Sequence, residues 1–374
     1  MSIELKAILP TLLGVAMDVS GSMTTSIRNP QMADLSRLGG VEQAVRSTLR
    51  DLQRLAGQQG VPADLAVRVF LYAFGLRISP GFGDLLGILR AARAPDFSEF
   101  QRAAIERAEV RAQRKGEEMK RSSYESYGGL ASLARSYGFG SLVDSAGSGM
   151  QREAEARLRA EAEAEVFEAL SSYIQKQAKD ATLPVEELVQ LLADTPLESG
   201  AERLIFGNTP MAACLAGIEK RFQREPRLAR EQCVLLIISD GEPTDGDPEP
   251  IARRLREAGI SVLCAFLTGC DLATPRLLRS HGDPAWTPGA RLMWSLASTV
   301  GDVESNETGG FSGWRAALES GGWEVEPDAH LFVQINHSET LADFLRVAAT
   351  AVPLSELCKV NVGSIQGAVN DLLA

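Results

Sequence analysis

The sequence predicts an α/β fold: a doubly wound, mostly parallel central sheet flanked by helices and carrying a large helical insertion. Three observations support this. Residues 9–17, 65–74, 232–239 and 260–267 are near-continuous apolar runs of strand length, as expected of strands covered on both faces. Segments with apolar residues at three- and four-residue spacing alternate with them, which is the mark of amphipathic helices. Between the second and third runs, residues 83–199 become charged and rich in Arg, Glu and Ala, and the strand pattern disappears.

Residues 9–17 come first. They are read as a strand and not as the apolar core of a leader, because Asp18 and Ser20 follow without a small-residue cleavage pattern. Residues 39–55 place Val41, Val45, Leu49, Leu52 and Leu55 on one helical stripe, and Gly57 and Gly60 punctuate its end. Residues 65–74 are too apolar to leave one face in water, so strand, helix and strand open a βαβ series.

The rhythm then breaks. Residues 85–94 read as a helix, 97–121 are rich in Arg, Glu and Ala, and 124–149 are loaded with Ser, Gly and Tyr. Residues 152–179 resume as a charged helix, with Leu158, Ala162, Val166, Leu170 and Ile174 at intervals of four. The expectation is two helical arms joined by a flexible loop. They are either a solvated hairpin packed on itself or on the main domain, or an arm that binds a partner.

The α/β pattern returns with a short amphipathic helix at 185–192 and a helix at 211–221 led in by Asn208-Thr209-Pro210. The strand at 232–239 runs into Asp240-Gly241-Glu242-Pro243-Thr244-Asp245, followed by a helix at 250–258 and the strand at 260–267. Residues 268–328 look irregular and hold all four tryptophans, Trp286, Trp294, Trp314 and Trp323. They are expected to cluster and order this connection, or else to form a recognition surface. A last strand at 331–335 and a helix at 339–351 capped by Ser338 complete the domain. The α/β domain is thus expected over 9–80 and 200–350, with 83–199 inserted, 268–328 as a second and irregular insertion, and 353–374 as a docked helix or tail.

The composition narrows the function. The chain has 374 residues, with 38 Lys and Arg against 49 Asp and Glu, a net charge of −11. This balance argues against a nucleic-acid backbone or an anionic membrane surface as the main partner. The five cysteines are scattered, without a CxxC pair or disulfide framework, which points to a reducing, cytoplasmic setting. No run approaches the roughly 18 apolar residues of a membrane span.

The chemistry lies in three separated pieces: Asp18-x-Ser20-x-Ser22, Thr209 and Asp240. Each follows a predicted strand or precedes a helix, where an open parallel sheet places its ligand crevice. Hydroxyls and carboxylates are hard oxygen donors that suit Mg2+ or Mn2+ better than Zn2+. A cation held mostly by neutral hydroxyls stays electrophilic, so a carboxylate from another molecule is its natural last partner. Glu242, Asp245 and Asp247 offer either a second cation site or a solvated acidic loop. His281, His330 and His337 lie in no Ser-His-Asp or Cys-His context, and Gly81-Phe82-Gly83 lacks the Lys and helix start of a phosphate loop.

Met17-Asp18-Val19-Ser20-Gly21-Ser22-Met23, with Gly207-Asn208-Thr209-Pro210-Met211 and Ile238-Ser239-Asp240-Gly241, resembles a von Willebrand factor type A (VWA) domain and its metal-ion-dependent adhesion site (MIDAS). The resemblance covers roughly 9–80 and 200–350. It implies direct ligation by Ser20, Ser22 and Thr209, with Asp18 and Asp240 mainly orienting metal-bound waters. Neither insert matches the pattern, so nothing about their roles is inherited. The resemblance further implies a Mg2+-dependent (or Mn2+-dependent) protein-interaction module that captures an Asp or Glu of its partner. Intracellular bacterial relatives work beside AAA+ ATPases, kinases, phosphatases or proteases, so an adaptor in a stress-response or defence assembly is the expectation, by fold-level analogy. Two other classes stay open: a structural protein that self-assembles through the helical insertion, and a Mg2+-dependent phosphohydrolase with Asp18 as nucleophile, for which no partner base is apparent.

Overall fold

A computed structural model of the chain describes residues 11–27, 35–58, 67–136, 140–194, 205–226, 232–305 and 314–350. β1 (Thr11–Asp18) leads through a 3-10 turn at Gly21–Thr24 and a small antiparallel ladder of β2 (Ser26–Ile27) with β3 (Leu35–Ser36) into α1 (Arg37–Gln58). Next come β4 (Val67–Phe74), β5 (Phe82–Asp84), α2 (Leu85–Ala92), α3 (Phe97–Ser136) and α4 (Gly140–Gln177). β6 (Leu183–Pro184), α5 (Val185–Asp194), α6 (Met211–Arg224), β7 (Gln232–Ser239), α7 (Glu249–Glu257) and β8 (Ile260–Leu267) follow. The chain continues with β9 (Leu277–Leu278), α8 (Pro288–Leu296), α9 (Val300–Ser305), α10 (Trp314–Ser320), β10 (Glu324–Val325), β11 (Phe332–Ile335) and α11 (Ser338–Thr350).

The main sheet has the order β11-β8-β7-β1-β4-β5, with β6 also paired to β4. β11, β8, β7, β1 and β4 run parallel, whereas β5 and β6 are antiparallel to β4 and cover its edge. The expected mostly parallel, doubly wound sheet is therefore the one observed. The chain steps from β1 to β4 in one direction, then returns past β1 to β7, β8 and β11. Right-handed crossovers in opposite directions place helices on both faces. The reversal leaves a crevice beyond the carboxyl ends of β1 and β7, the topological switch point of the sheet. The register, Met17 opposite Ile238, brings Asp18 beside Ser239.

β1 and β7 are buried along their whole length, which explains their unbroken apolar sequences. Leu12 and Ala16 of β1 join Phe70, Tyr72 and Phe74 of β4 in a core completed by Cys214, Leu215, Ile218 and Phe222 of α6, Leu255 of α7, and Met293 and Leu296 of α8. Gly14 belongs to this face: a Cβ there would stand 2.5 Å from Phe70 Cζ, so the Phe70 ring fills the space the glycine leaves. Leu13, Val15 and Met17 alternate to the opposite face, where α1 packs with α11 and α5.

The chain divides into two compact units, one of residues 90–178 and one of the rest. The first is an antiparallel helix pair. Phe97 and Phe100 of α3 meet Tyr173 of α4 with ring centroids 5.4 and 4.7 Å apart, and farther along Arg111 pairs with Glu165 at 2.7 Å and Lys115 with Glu161 at 2.9 Å. This unit is narrower than the 83–199 stretch read from composition, because β5 and β6 hydrogen-bond to β4 and α5 packs on α1.

Three expectations are corrected. Residues 124–149, read as a loop, are helical except at 137–139, which lie outside the described residues. Ser and Gly cost a helix interior at most about 1 kcal/mol each, and propagation from an established helix outweighs that. Residues 268–328, read as irregular, contain α8, α9, α10 and the β9–β10 pair. Nor do the tryptophans form one cluster. Trp286 packs on Phe332, Trp294 stacks on His330 and Trp323 packs on Phe344, at centroid distances of 5.1, 3.9 and 5.5 Å. Trp286 and Trp294 flank Gly282 and pack on the same core, whereas Trp323 lies against α11. Residues 353–374 lie outside the described residues. Among the described residues, no helix is long and apolar enough to cross a membrane.

Candidate metal centre

The site begins where β1 ends. Asp18 is wholly buried, and each of its oxygens has a partner: Oδ1 accepts from the Ser20 backbone N–H at 2.8 Å and Oδ2 from the Ser239 hydroxyl at 2.6 Å. Ser239 Oγ in turn accepts from the Gly241 N–H at 3.2 Å. Asp18 thereby ties its own loop to the tip of β7. Burial pushes its carboxyl from the ordinary 3.8 up to about 6, against the opposing pull of its bonds from Ser20 and Ser239.

A chain of polar contacts continues outward. Ser20 Oγ and Ser22 Oγ lie 3.0 Å apart, and Ser22 donates to Asp240 Oδ1 at 2.6 Å. Asp240 Oδ2 pairs with the Arg37 guanidinium. Thr209, buried just before α6, joins them. A Cβ built on Gly241 would lie 3.9 Å from both Ser22 Oγ and Thr209 Oγ1, so these two hydroxyls face the same small space beside the glycine. All five residues singled out in the sequence thus lie around one crevice. Ser20 and Thr209 are buried within it, and Ser22 opens to solvent.

The loops that carry these residues grip one another through backbone bonds. Gly75, at φ 93°, sits so close to the first loop that a Cβ would approach Ser20 N to 2.4 Å. Its carbonyl accepts from Gly207 N–H at 2.7 Å, and Phe206 N–H donates to Val19 O at 2.8 Å. Phe206 holds φ 70°, a left-handed conformation costing a non-glycine residue about 1–2 kcal/mol. The strain lies in the segment that delivers Thr209.

The acidic loop after β7 has other work. Asp245 accepts from Ala212 N–H at 3.1 Å and Ala213 N–H at 2.7 Å, capping α6, and Asp247 accepts from Glu249 N–H at 2.9 Å at the start of α7. His281 contacts Ser280 Oγ at 2.6 Å, and His330 contacts Trp294 O at 2.9 Å. Among the described residues, no three His, Cys, Asp or Glu side chains gather as a metal cluster. The candidate centre is instead built mainly of hydroxyls.

Sequence reasoning missed Arg37, Ser239 and Gly75. Arg37 did offer a signal, since a basic residue opening a helix opposes the helix dipole and calls for an anion nearby. Ser239 lies within the quoted Ile238-Ser239-Asp240 stretch, but its bond to Asp18 exists only once β7 lies against β1.

No family model matches the sequence, and no curated protein matches it. Among solved structures, the chain is similar to the pilus adhesin SpaC of Lactobacillus rhamnosus GG in its open conformation, at 11% identity and TM-score 0.41, over 93% of this chain and 30% of that one. It is similar to proximal thread matrix protein 1 of the mussel byssus with a zinc-occupied MIDAS motif, at 9% identity and TM-score 0.39, over 92% and 48%. It is also similar to the conserved hypothetical protein BatB of Bacteroides thetaiotaomicron, at 10% identity and TM-score 0.38, over 93% and 99%. The chain spans 30% of the adhesin and 48% of the mussel protein. The doubly wound fold expected from the VWA resemblance rests on this chain's own strand order and register.

Proposed function

We propose that this chain is a metal-gated protein-interaction module, holding Mg2+ or Mn2+ at the tip of its sheet and capturing a carboxylate of a protein partner. The observation that carries the reading is the convergence of Ser20, Ser22, Thr209, Asp18 and Asp240 on the crevice beside Gly241. Ser22 sends its one proton to Asp240 and therefore accepts from Ser20, so Ser22 keeps one lone pair and Ser20 keeps both to meet a cation, while Ser239 spends its proton on Asp18. The donor set therefore fits a hard divalent ion, with Ser20, Ser22 and Thr209 as direct ligands and the two carboxylates behind them. A bound cation would supply positive charge that its neutral ligands do not quench, and the exposure of Ser22 leaves a side open to an incoming acid.

The hydrolase alternative loses its nucleophile. Asp18 is buried with both oxygens occupied, so it cannot reach a phosphoester without dismantling the joint between β1 and β7. An adaptor role within a bacterial stress-response or defence assembly extends the module reading by analogy.

The test uses Ser22→Ala and Thr209→Ala, because variants at Asp18 would disturb the sheet itself. Each should weaken Mn2+ binding, followed by electron paramagnetic resonance, by about 10–100-fold. A tagged pull-down should lose its partner in EDTA and in the Ser22→Ala/Thr209→Ala double variant, with the circular-dichroism melt retained. Partner capture that survives both treatments would reject the metal-gated mechanism.

A further inference from the structure

Arg37 stands apart from the five residues named so far. It opens α1, its backbone N–H donates to Thr25 O at 2.8 Å, and its guanidinium pairs with the Asp240 oxygen that Ser22 leaves free. The Asp240 side chain is 0% exposed and that of Arg37 is 16% exposed, so the acid is sealed while the base keeps a narrow opening to water. A Cβ built on Gly269 would lie 3.6 Å from Arg37 Nη2, which places the guanidinium under the turn that follows β8. Its Nε is buried without a hydrogen-bond partner. A cation at the start of a helix, with one donor unused, is costly unless the pair with Asp240 is its purpose.

We propose that Arg37 is a built-in counter-cation that holds down the metal affinity of the site and makes the loaded site an acceptor of anions. This rests on the metal-gated reading above. Without Arg37, the two carboxylates Asp18 and Asp240 would give the empty site a double negative charge and, with a divalent ion, a neutral one. With Arg37 the empty site carries a single negative charge and the loaded site a single positive one. Of the other acids of the neighbouring loop, Asp245 caps α6, Asp247 accepts from Glu249 N–H at the start of α7, and Glu242 is exposed, where water screens its charge. The guanidinium thus trades metal affinity for affinity toward an incoming carboxylate. One unit charge within several ångströms in a part-buried setting changes a divalent ion's binding by about ten- to a hundredfold.

The experiment compares Arg37→Gln and Arg37→Lys with the unmodified chain, using Mn2+ alone and then Mn2+ with acetate. Free Mn2+ is counted by electron paramagnetic resonance, acetate is read by the water-proton relaxation of bound Mn2+, and a circular-dichroism melt verifies folding. Arg37→Gln should bind Mn2+ at least about tenfold more tightly and take up acetate more weakly, whereas Arg37→Lys, with its charge kept, should stay near the unmodified chain. Binding of Mn2+ only in Arg37→Gln would overturn the anion-accepting role together with the metal-gated reading, because the unmodified site would then never be loaded. Unchanged or weaker Mn2+ binding in a folded Arg37→Gln overturns it while leaving the metal site standing, since Arg37 would then only position Asp240. A tenfold gain in Arg37→Lys also overturns it. Absence of Mn2+ binding in all three chains rejects the metal site and this proposal together.

Discussion

Replacing Gly75 by Ala tests whether the D-x-S-x-S loop is gripped by its neighbours or merely adjacent to them. Two costs are separable. At φ 93° an L-residue pays about 1–2 kcal/mol of backbone strain. The new Cβ would also stand 2.4 Å from Ser20 N, 2.7 Å from Ser20 Cα and 2.8 Å from Val19 C, all backbone atoms that cannot rotate away. Gly75 itself is pinned, because its N–H donates to Gly81 O at 3.0 Å and its carbonyl accepts from Gly207 N–H at 2.7 Å. Relief must therefore come from breaking a loop contact, and the total should reach about 3 kcal/mol or more. Gly246 is the control: its φ is 116°, and nothing lies within 4 Å of a built Cβ. Gly246→Ala should cost the strain alone, about 1–2 kcal/mol. Urea unfolding followed by circular dichroism gives both values, and Mn2+ titration should show weakened binding in Gly75→Ala only. Equal destabilisation of the two variants, with equal Mn2+ affinity, would mean that the Ser20 loop moves freely and that the packing argument is wrong.

Two further outcomes follow from the same geometry. Asp245→Ala removes the acceptor for two α6 N–H groups and should destabilise by about 1–2 kcal/mol without changing the number of Mn2+ ions bound; loss of one equivalent of Mn2+ would instead assign the acidic loop to a second cation site. Asp84 takes the Gly87 N–H at 2.7 Å and the Ala181 N–H at 2.9 Å, and burial pushes its carboxyl from 3.8 up to about 6 against those bonds. Because the folded value lies above the unfolded one, its contribution is fully present below about pH 4 and is lost as pH rises through about 6, a swing of about 3 kcal/mol. Asp84→Asn should flatten that part of the stability curve while losing about 1–2 kcal/mol where the amide N–H opposes one of the two donors. Urea midpoints at pH 4.5, 6 and 7.5 check this, and parallel curves for the two chains would refute it.

The parts legible in sequence are those whose signal lies within one element. β7 and β8 could be read residue by residue because burial on both faces leaves an unbroken apolar run. Asp18 and Asp240 were legible because a polar residue at the end of such a run marks a strand tip. β5 and β6, three and two residues long, are too short to show a period of two, and their pairing to β4 shifted the boundary of the inserted helices. The helical continuity of 124–136 was hidden by Ser, Gly and Tyr, whose weak propensities yield to the context of a long helix. Arg37, Ser239 and Gly75 were missed for a different reason. Their partners are 203, 221 and 55 positions away in sequence, so each acquires its role only when the strands assemble.

That distinction also separates two acids that the motif alone would treat alike. Asp18 spends both oxygens on the scaffold, one on the Ser20 backbone and one on the neighbouring strand's Ser239, in a dry environment that raises its proton affinity. Asp240 spends one oxygen on Ser22 and the other on Arg37, groups that can both reach water. The first is a structural joint whose removal leaves buried donors unpaired; the second is an adjustable contact between the open face of the crevice and the start of α1. A site built in this way has a rigid floor and a responsive rim. On the proposed metal-gated reading, substitutions at Asp240 and Arg37 should change affinity for metal and for a carboxylate without dismantling the junction of β1 and β7.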